Sequence, residues 1–317
     1  MDVENRARQQ QLVEEIKKLK KEKKAVILAH YYQQGPIQDI ADYIGDSLAL
    51  AQKAATITDA DIIVMCGVHF MGETVKLLCP DKKVLVPDIE AGCSLADSCP
   101  AEDFARFIAE HPGHIVVSYV NTSVGVKALT DVLVTSGNAR KVIDSLPADA
   151  RIIFGPDRNL GNYINSQTGR RMVLWDGACH VHEKFSLEKI LELKKEHPGA
   201  ELLVHPECRR QLVMIADKVG STAALLDHAR KSDAVEFIVA TESGIIHQMQ
   251  KDCPEKTFIP APPMDSTCGC NDCNYMKLNT MEKLYHCLRD EQPVIEVDPA
   301  LAERARRPIE RMLELSK

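Results

Sequence analysis

The 317-residue chain has no long apolar run. The longest, such as Val26–Leu28 and Ile62–Met65, reach strand length only, far short of the ~18–20 residues that span a bilayer, so no membrane partner is expected. Aromatic residues are scarce at 5%, and 39 Lys and Arg face 46 Asp and Glu, for a net charge of −7. Nucleic-acid surfaces combine a basic stripe with interleaved aromatics, so no nucleic-acid partner is expected either. The densest basic run, Lys17-Lys18-Leu19-Lys20-Lys21 through Lys24, is laced with Glu14, Glu15 and Glu22 and reads as a solvated helix face. No apolar signal core follows the N-terminus, which predicts a cytoplasmic protein. There is no Walker loop, no Gly-x-Gly-x-x-Gly after a strand and no Cys-x-x-x-Cys-x-x-Cys, which removes the common nucleotide and radical chemistries.

Cysteine, by contrast, is abundant, with 11 residues. In a cytosolic chain reduced thiols point to metal binding or catalysis rather than disulfides. The remaining composition, 45% hydrophobic and 27% charged, is that of a globular protein, and the length exceeds what one core usually serves.

A long internal repeat orders the chain. Three short apolar strands end in a polar side chain: Ala25-Val-Ile-Leu-Ala-His30, His114-Ile-Val-Val-Ser-Tyr119 and Glu201-Leu-Leu-Val-His205, with His30, Tyr119 and His205 spaced by 89 and 86 residues. Second strands follow at Asp61–Met65, Arg151–Phe154 and Glu236–Val239, and third strands at Lys83–Val86, Met172–Leu174 and Thr257–Ile259. Between first and second strands a polar cluster opens a helix: Gly45-Asp46-Ser47, Thr135-Ser136-Gly137 and Gly220-Ser221-Thr222. Strands alternating with helices predict an α/β fold of three similar αβα three-layer domains with short parallel sheets, related by a pseudo-threefold axis. The expected domains are 1–96, 97–182 and 183–317, the first carrying an N-terminal helix and the last the C-terminal helices. Ligands in open α/β sheets sit at the carboxyl ends of strands, so one central site shared by all three units follows.

A cysteine stands just after each third strand: Cys93, Cys179, and one of Cys268, Cys270 or Cys273. Three converging thiolates make a soft-metal site with a coordination position left open, as a catalytic metal needs. Cys270-Asn-Asp-Cys273 lacks a second Cys-x-x-Cys at ribbon spacing, which puts iron–sulfur ahead of zinc. Cys66, Cys79, Cys208, Cys253 and Cys287 follow no repeat and read as small apolar residues. The serines of the polar clusters suit helix caps, and free amides with hydroxyls at such helix starts also suit phosphate or carboxylate.

Ala29-His-Tyr-Tyr-Gln33, Gly45-Asp-Ser47, Ser118-Tyr-Val-Asn-Thr-Ser123, Trp175-Asp-Gly-Ala-Cys-His-Val-His182, His205-Pro-Glu207 and Gly220-Ser-Thr222 resemble, in order, the signature stretches of the quinolinate synthase family, from about His30 to Cys273. The resemblance implies an enzyme of NAD biosynthesis that condenses iminoaspartate with dihydroxyacetone phosphate to quinolinate, losing phosphate and two waters. It implies a 4Fe–4S cluster held by Cys93, Cys179 and Cys273, whose open iron is a Lewis acid, with an aspartate oxidase or dehydrogenase supplying iminoaspartate. Thr267 stands where some members carry a further cysteine, so Cys270 is the second choice of ligand, and the resemblance assigns no redox role to Cys268 and Cys270. In this frame Glu207 is the candidate general base beside His205, while His30 and Tyr32 bind substrate and shuttle protons. Tyr119 and Asn121 would hold the intermediate, and Asp46, Ser47, Ser136, His182, Ser221 and Thr222 the phosphate and carboxylates. The competing classes are another 4Fe–4S hydro-lyase acting on a small polyanion, a non-catalytic iron–sulfur electron carrier, which would want four cysteine ligands, and a structural zinc protein.

Overall fold

The inner strands of each sheet are runs buried on both faces, which is why they read as continuous apolar stretches rather than alternating ones. In the computed structural model, which describes residues 3–265 and 271–317, the first unit holds β1 (Ala25–His30), β2 (Tyr43–Gly45), β3 (Ile62–Cys66) and β4 (Lys83–Leu85). The second holds β5 (Ile115–Tyr119), β6 (Val132–Val134), β7 (Ile152–Gly155) and β8 (Val173–Leu174), and the third β9 (Glu201–Val204), β10 (Lys218–Val219), β11 (Glu236–Ala240) and β12 (Thr257–Pro260). Each forms its own four-stranded sheet, and the strand order is the same three times: β2-β1-β3-β4, β6-β5-β7-β8 and β10-β9-β11-β12. All pairings are parallel, and helices interleave with the strands to give three αβα layers.

The edge strands β2, β6 and β10 are additions to the sequence reading. Each precedes one of the polar clusters, and at two or three residues it is too short for periodicity to register. Their register matters for the site. His30 pairs with Gly45, Tyr119 with Val134 and Val204 with Val219, so each polar cluster emerges beside the polar end of the first strand. An aspartate pins each edge strand: Asp42, Asp131 and Asp217 accept the amides of Ile27, Val116 and Leu202 at 2.8, 2.8 and 2.7 Å. Their own amides donate back to the carbonyls of the same three residues. Asp131→Ala is expected to cost about 1–2 kcal/mol, the usual worth of a hydrogen bond to a charged group, as a lowered urea midpoint at unchanged slope.

Asp46 and Ser221 cap their helices, accepting the amides of Ala49 and Ala224. In the second unit the helix starts only at Ala139, because Asn138 Oδ1 turns back to the Thr135 amide at 2.6 Å. The C-terminal segment returns to the earlier units. Helix Met281–Asp290 packs Leu284 and Leu288 with Leu12 and Ile16 of the N-terminal helix Val3–Glu22. Helix Pro299–Leu315 packs Ala305, Ile309 and Met312 against Leu77, Val124 and Leu133 of the first and second units. Cys66, Cys79, Cys208, Cys253 and Cys287 are buried in the apolar cores, as is Cys99. Among the described residues no helix is long and apolar enough to cross a membrane.

Candidate active site

The strand ends of all three units open onto one cavity. The first unit brings His30, Tyr32, Asp46, Ser47 and Cys93, the second Tyr119, Asn121, Ser136, Cys179 and His182, the third His205, Glu207, Thr222 and Cys273. Ser221 is the one predicted site residue outside the lining, its hydroxyl occupied as the cap to Ala224. Cys268 and Cys270 lie outside the described residues.

Glu207 is the hub of the polar wall. It is buried, receives the Tyr119 hydroxyl at 2.5 Å, and has His182 Nδ1 at 3.0 Å and His205 Nδ1 at 3.7 Å. The His182 and His205 rings stack with centroids 4.6 Å apart, and His182 Nε2 lies 2.9 Å from Thr241 Oγ1. His30 and His205 share one device: each Nδ1 accepts the backbone amide two residues on, from Tyr32 and Glu207. Each neutral ring therefore carries its proton on Nε2, which His205 directs at Ser136 Oγ, 3.2 Å away. Tyr32 bridges units, its hydroxyl meeting Thr222 and Thr241 of the third unit at 2.8 and 2.7 Å. Asn121 Oδ1 is buried on the cavity wall with no hydrogen-bond donor among the described residues.

Burial holds His30 and His205 neutral, each lowered to about 3 despite the pull of Glu207. For Glu207 burial works toward the neutral form, but His182, His205 and the Tyr119 hydrogen bond outweigh it and hold the carboxyl at about 2. A neutral His205 lends no positive charge, so the ionised state of Glu207 rests on the hydrogen bonds from His182 and Tyr119. Burial raises the Tyr32 and Tyr119 hydroxyls well above the usual range, which keeps them as donors.

Three cysteines, one from each unit, line the same cavity, and Cys179 Sγ lies 3.3 Å from His182 Nδ1. Cys93 and Cys179 each immediately precede a single helical turn, Ser94–Asp97 and His180–Glu183, and Cys273 lies just ahead of the turn Met276–Leu278. Burial pushes the thiols up, to about 12 for Cys93, about 11 for Cys273 and well above the usual range for Cys179, outweighing the nearby backbone amides that favour the thiolates. Three partly buried sulfurs, costly as free thiolates, are a donor set that a metal centre completes. Separately, donor atoms of Cys179, His182 and Glu207 lie within 4.8 Å of one another, close enough for a single ion.

Two acids here were not among the expected site residues. Asp157 and Glu242 follow β7 and β11, 85 residues apart like their strands, and each is buried and accepts a cysteine amide. Asp157 Oδ2 takes Cys179 N at 3.1 Å, and Glu242 Oε1 takes Cys273 N at 3.0 Å. Carrying the repeat two residues past β7 and β11 points to both, although Gly67 holds the place 90 residues before Asp157 in the first unit and hides the pattern.

The family model described as quinolinate synthetase A protein matches residues 14–314. The chain belongs to the quinolinate synthase family. It is 60% identical to the quinolinate synthase of Microcystis aeruginosa over 95% of this chain and 94% of that protein. The quinolinate synthases of Thermosynechococcus vestitus and Chloroherpeton thalassium are 58% and 56% identical, each over 96% of this chain and 95% of theirs. Quinolinate synthases are enzymes of NAD biosynthesis, so the cavity is a candidate active site in the strict sense.

Proposed function

We propose that this chain condenses iminoaspartate with dihydroxyacetone phosphate to quinolinate, with loss of phosphate and two waters, in the cytoplasm. A 4Fe–4S cluster held by Cys93, Cys179 and Cys273 completes the site in this reading, within the expected domains 1–96, 97–182 and 183–317. The observation that carries it is the meeting of two donor sets in one cavity: Cys93, Cys179 and Cys273, one from each unit, and Glu207 with its His182, His205 and Tyr119 partners. When bound, the cluster supplies an open iron as Lewis acid toward substrate oxygen or nitrogen.

The chain's own groups do the rest. Glu207, ionised and oriented by Tyr119 and His182, takes the protons released in enolisation and condensation. A carboxyl near 2 is a weak base, but anionic substrate beside it raises its pKa toward the working range. Neutral His30, and His205 through its Nε2–H shared with Ser136, donate to developing oxyanions and relay protons. Asn121 Oδ1 accepts the N–H or O–H that the protein does not provide. The hydroxyls of Ser47, Ser136 and Thr222 hold the phosphate and carboxylates; Asp46 and Ser221 set the helix starts behind them.

The test is product analysis with both substrates under anaerobic conditions, with iron, sulfide and zinc quantified in the same protein. Quinolinate and about four irons per chain support the proposal. Dehydration of other small polyanions without quinolinate favours a hydro-lyase, and one zinc per chain favours a single ion on Cys179, His182 and Glu207. An aspartate oxidase or dehydrogenase is the expected source of iminoaspartate.

A pH effect on stability follows from His30 and His205. Their folded values of about 3 lie below the unfolded 6.5, so the unfolded chain binds more protons between these limits. Stability is full above about 6.5 and falls as the pH drops toward 3, with up to ~1.4 kcal/mol per pH unit from each ring. Urea midpoints at pH 7 and 5 read this, and His205→Asn is expected to lower the histidine part of the slope, against an opposite contribution from Asp157 and Glu242, which burial raises.

A further inference from the structure

Glu242, buried, and Lys277, partly buried, form an ion pair that joins the loop bearing Cys273 to the turn bearing Tyr32. Glu242 is fully buried at the end of β11 and uses both oxygens: Oε1 accepts Cys273 N at 3.0 Å and meets Lys277 Nζ at 2.8 Å, while Oε2 accepts Gly244 N at 2.7 Å. Lys277 Nζ also donates to the Tyr32 carbonyl at 2.7 Å. Two neighbours run parallel to this link. Gln34 Nε2 donates to the Lys277 and Asn279 carbonyls at 3.2 and 3.0 Å, and Gln38 Nε2 joins the Tyr31, Gln33 and Gly244 carbonyls at 2.9 Å each. Space is tight where these segments meet, since a Cβ on Gly244 would lie 2.8 Å from both Glu242 Oε2 and the Tyr32 backbone. The turn bearing Tyr32 is thus tied to the loop bearing Cys273 by a short charged path through one carboxylate and one ammonium. Asp157 offers the contrast: it grips Cys179 N in the same way, but its other oxygen goes to the Leu160 amide.

We infer that Glu242 and Lys277 are positioning residues that make the placement of Tyr32 over the cavity depend on the conformation of the Cys273 loop. The inference rests on the cluster reading only for its ligand-dependent half. A metal centre that fixes Cys273 fixes Glu242 through its amide contact, and Lys277 passes that order to the Tyr32 carbonyl. The catalytic tyrosine then seats only when the cysteine set is complete. By linkage, a ligand that clamps Tyr32 holds metal more firmly at Cys273.

The experiment is hydrogen–deuterium exchange of peptides covering residues 30–41, on anaerobically purified protein before and after iron chelation. The amides of Tyr31, Tyr32 and Gln33 are all hydrogen-bonded and so report on this turn. In the native chain, iron removal is expected to speed their exchange at least tenfold. In Lys277→Met the turn is expected to exchange at one rate with or without iron, faster than in the iron-free native chain, where the ion pair still holds it in part, while Lys277→Arg keeps the native response. Asp157→Asn is expected to lower iron retention yet leave the iron-free exchange of this turn unchanged, a separation that a general loss of structure does not produce. Because Lys277→Met leaves a buried carboxylate uncompensated, Glu242→Gln/Lys277→Met is measured beside it and is expected to behave like the single change. A native response to chelation in Lys277→Met, or equal loosening by Asp157→Asn, overturns the inference. If the native protein holds no iron, the cluster reading falls, and the comparison of iron-free native and Lys277→Met chains still decides the brace: equal exchange rates refute it.

Discussion

Glu207→Gln is expected to lower turnover by about 10²–10⁴-fold, the range that positioned general bases supply. The side chain keeps its size, so the stack of His182 on His205 and the three cysteines stay in place. What changes is the wall's only carboxylate that receives the Tyr119 hydroxyl and faces both rings. Iron content should match the native protein, and kcat should fall more than KM rises, because the group acts on protons rather than on binding. Turnover within threefold of native would take Glu207 out of the chemistry and leave it as an anchor for the histidines.

Cys273→Ser is expected to have the largest effect of all. With a hydroxyl in place of the sulfur, the proposed metal site keeps two soft donors instead of three. Iron and the visible charge-transfer absorption should both be lost, and turnover should fall at least ~10³-fold, as expected when several kcal/mol of Lewis-acid stabilisation disappears. Cys99→Ser is the control. That cysteine is buried in an apolar cluster with Phe104 and Val116, away from the cavity lining, so the change should cost stability and spare iron. Iron retained in Cys273→Ser would shift the third ligand elsewhere in the chain.

Much of this arrangement can be read without coordinates, and the reasons are physical. Strands β1, β3, β5, β7, β9 and β11 lie inside sheets, so both their faces must be apolar, and apolar runs mark them in the sequence. Polar groups at their ends stand out against that background, which is why His30, Tyr119, His205 and Glu207 are visible. Edge strands of two or three residues carry no such contrast. Neither does Asp42, Asp131 or Asp217, each exposed and ordinary by composition. Yet they keep the spacing of the strand-end markers, 89 and 86 residues, so a repeat followed through its polar positions finds them. Asp157 and Glu242 demand more, since what makes them matter is an amide 22 or 31 residues away. The return of the C-terminal helices is a long-range packing choice, and no local pattern in 281–315 names the surface they cover.

That return has a consequence for how the protein matures. Helix Pro299–Leu315 seals Leu77 and Leu133, which belong to units emerging from the ribosome long before it. Until that helix is made, the first two units wait with an apolar groove exposed, and a nascent chain at that stage must be shielded from aggregation. The cavity, too, is complete only once the third unit has supplied His205, Glu207 and Cys273.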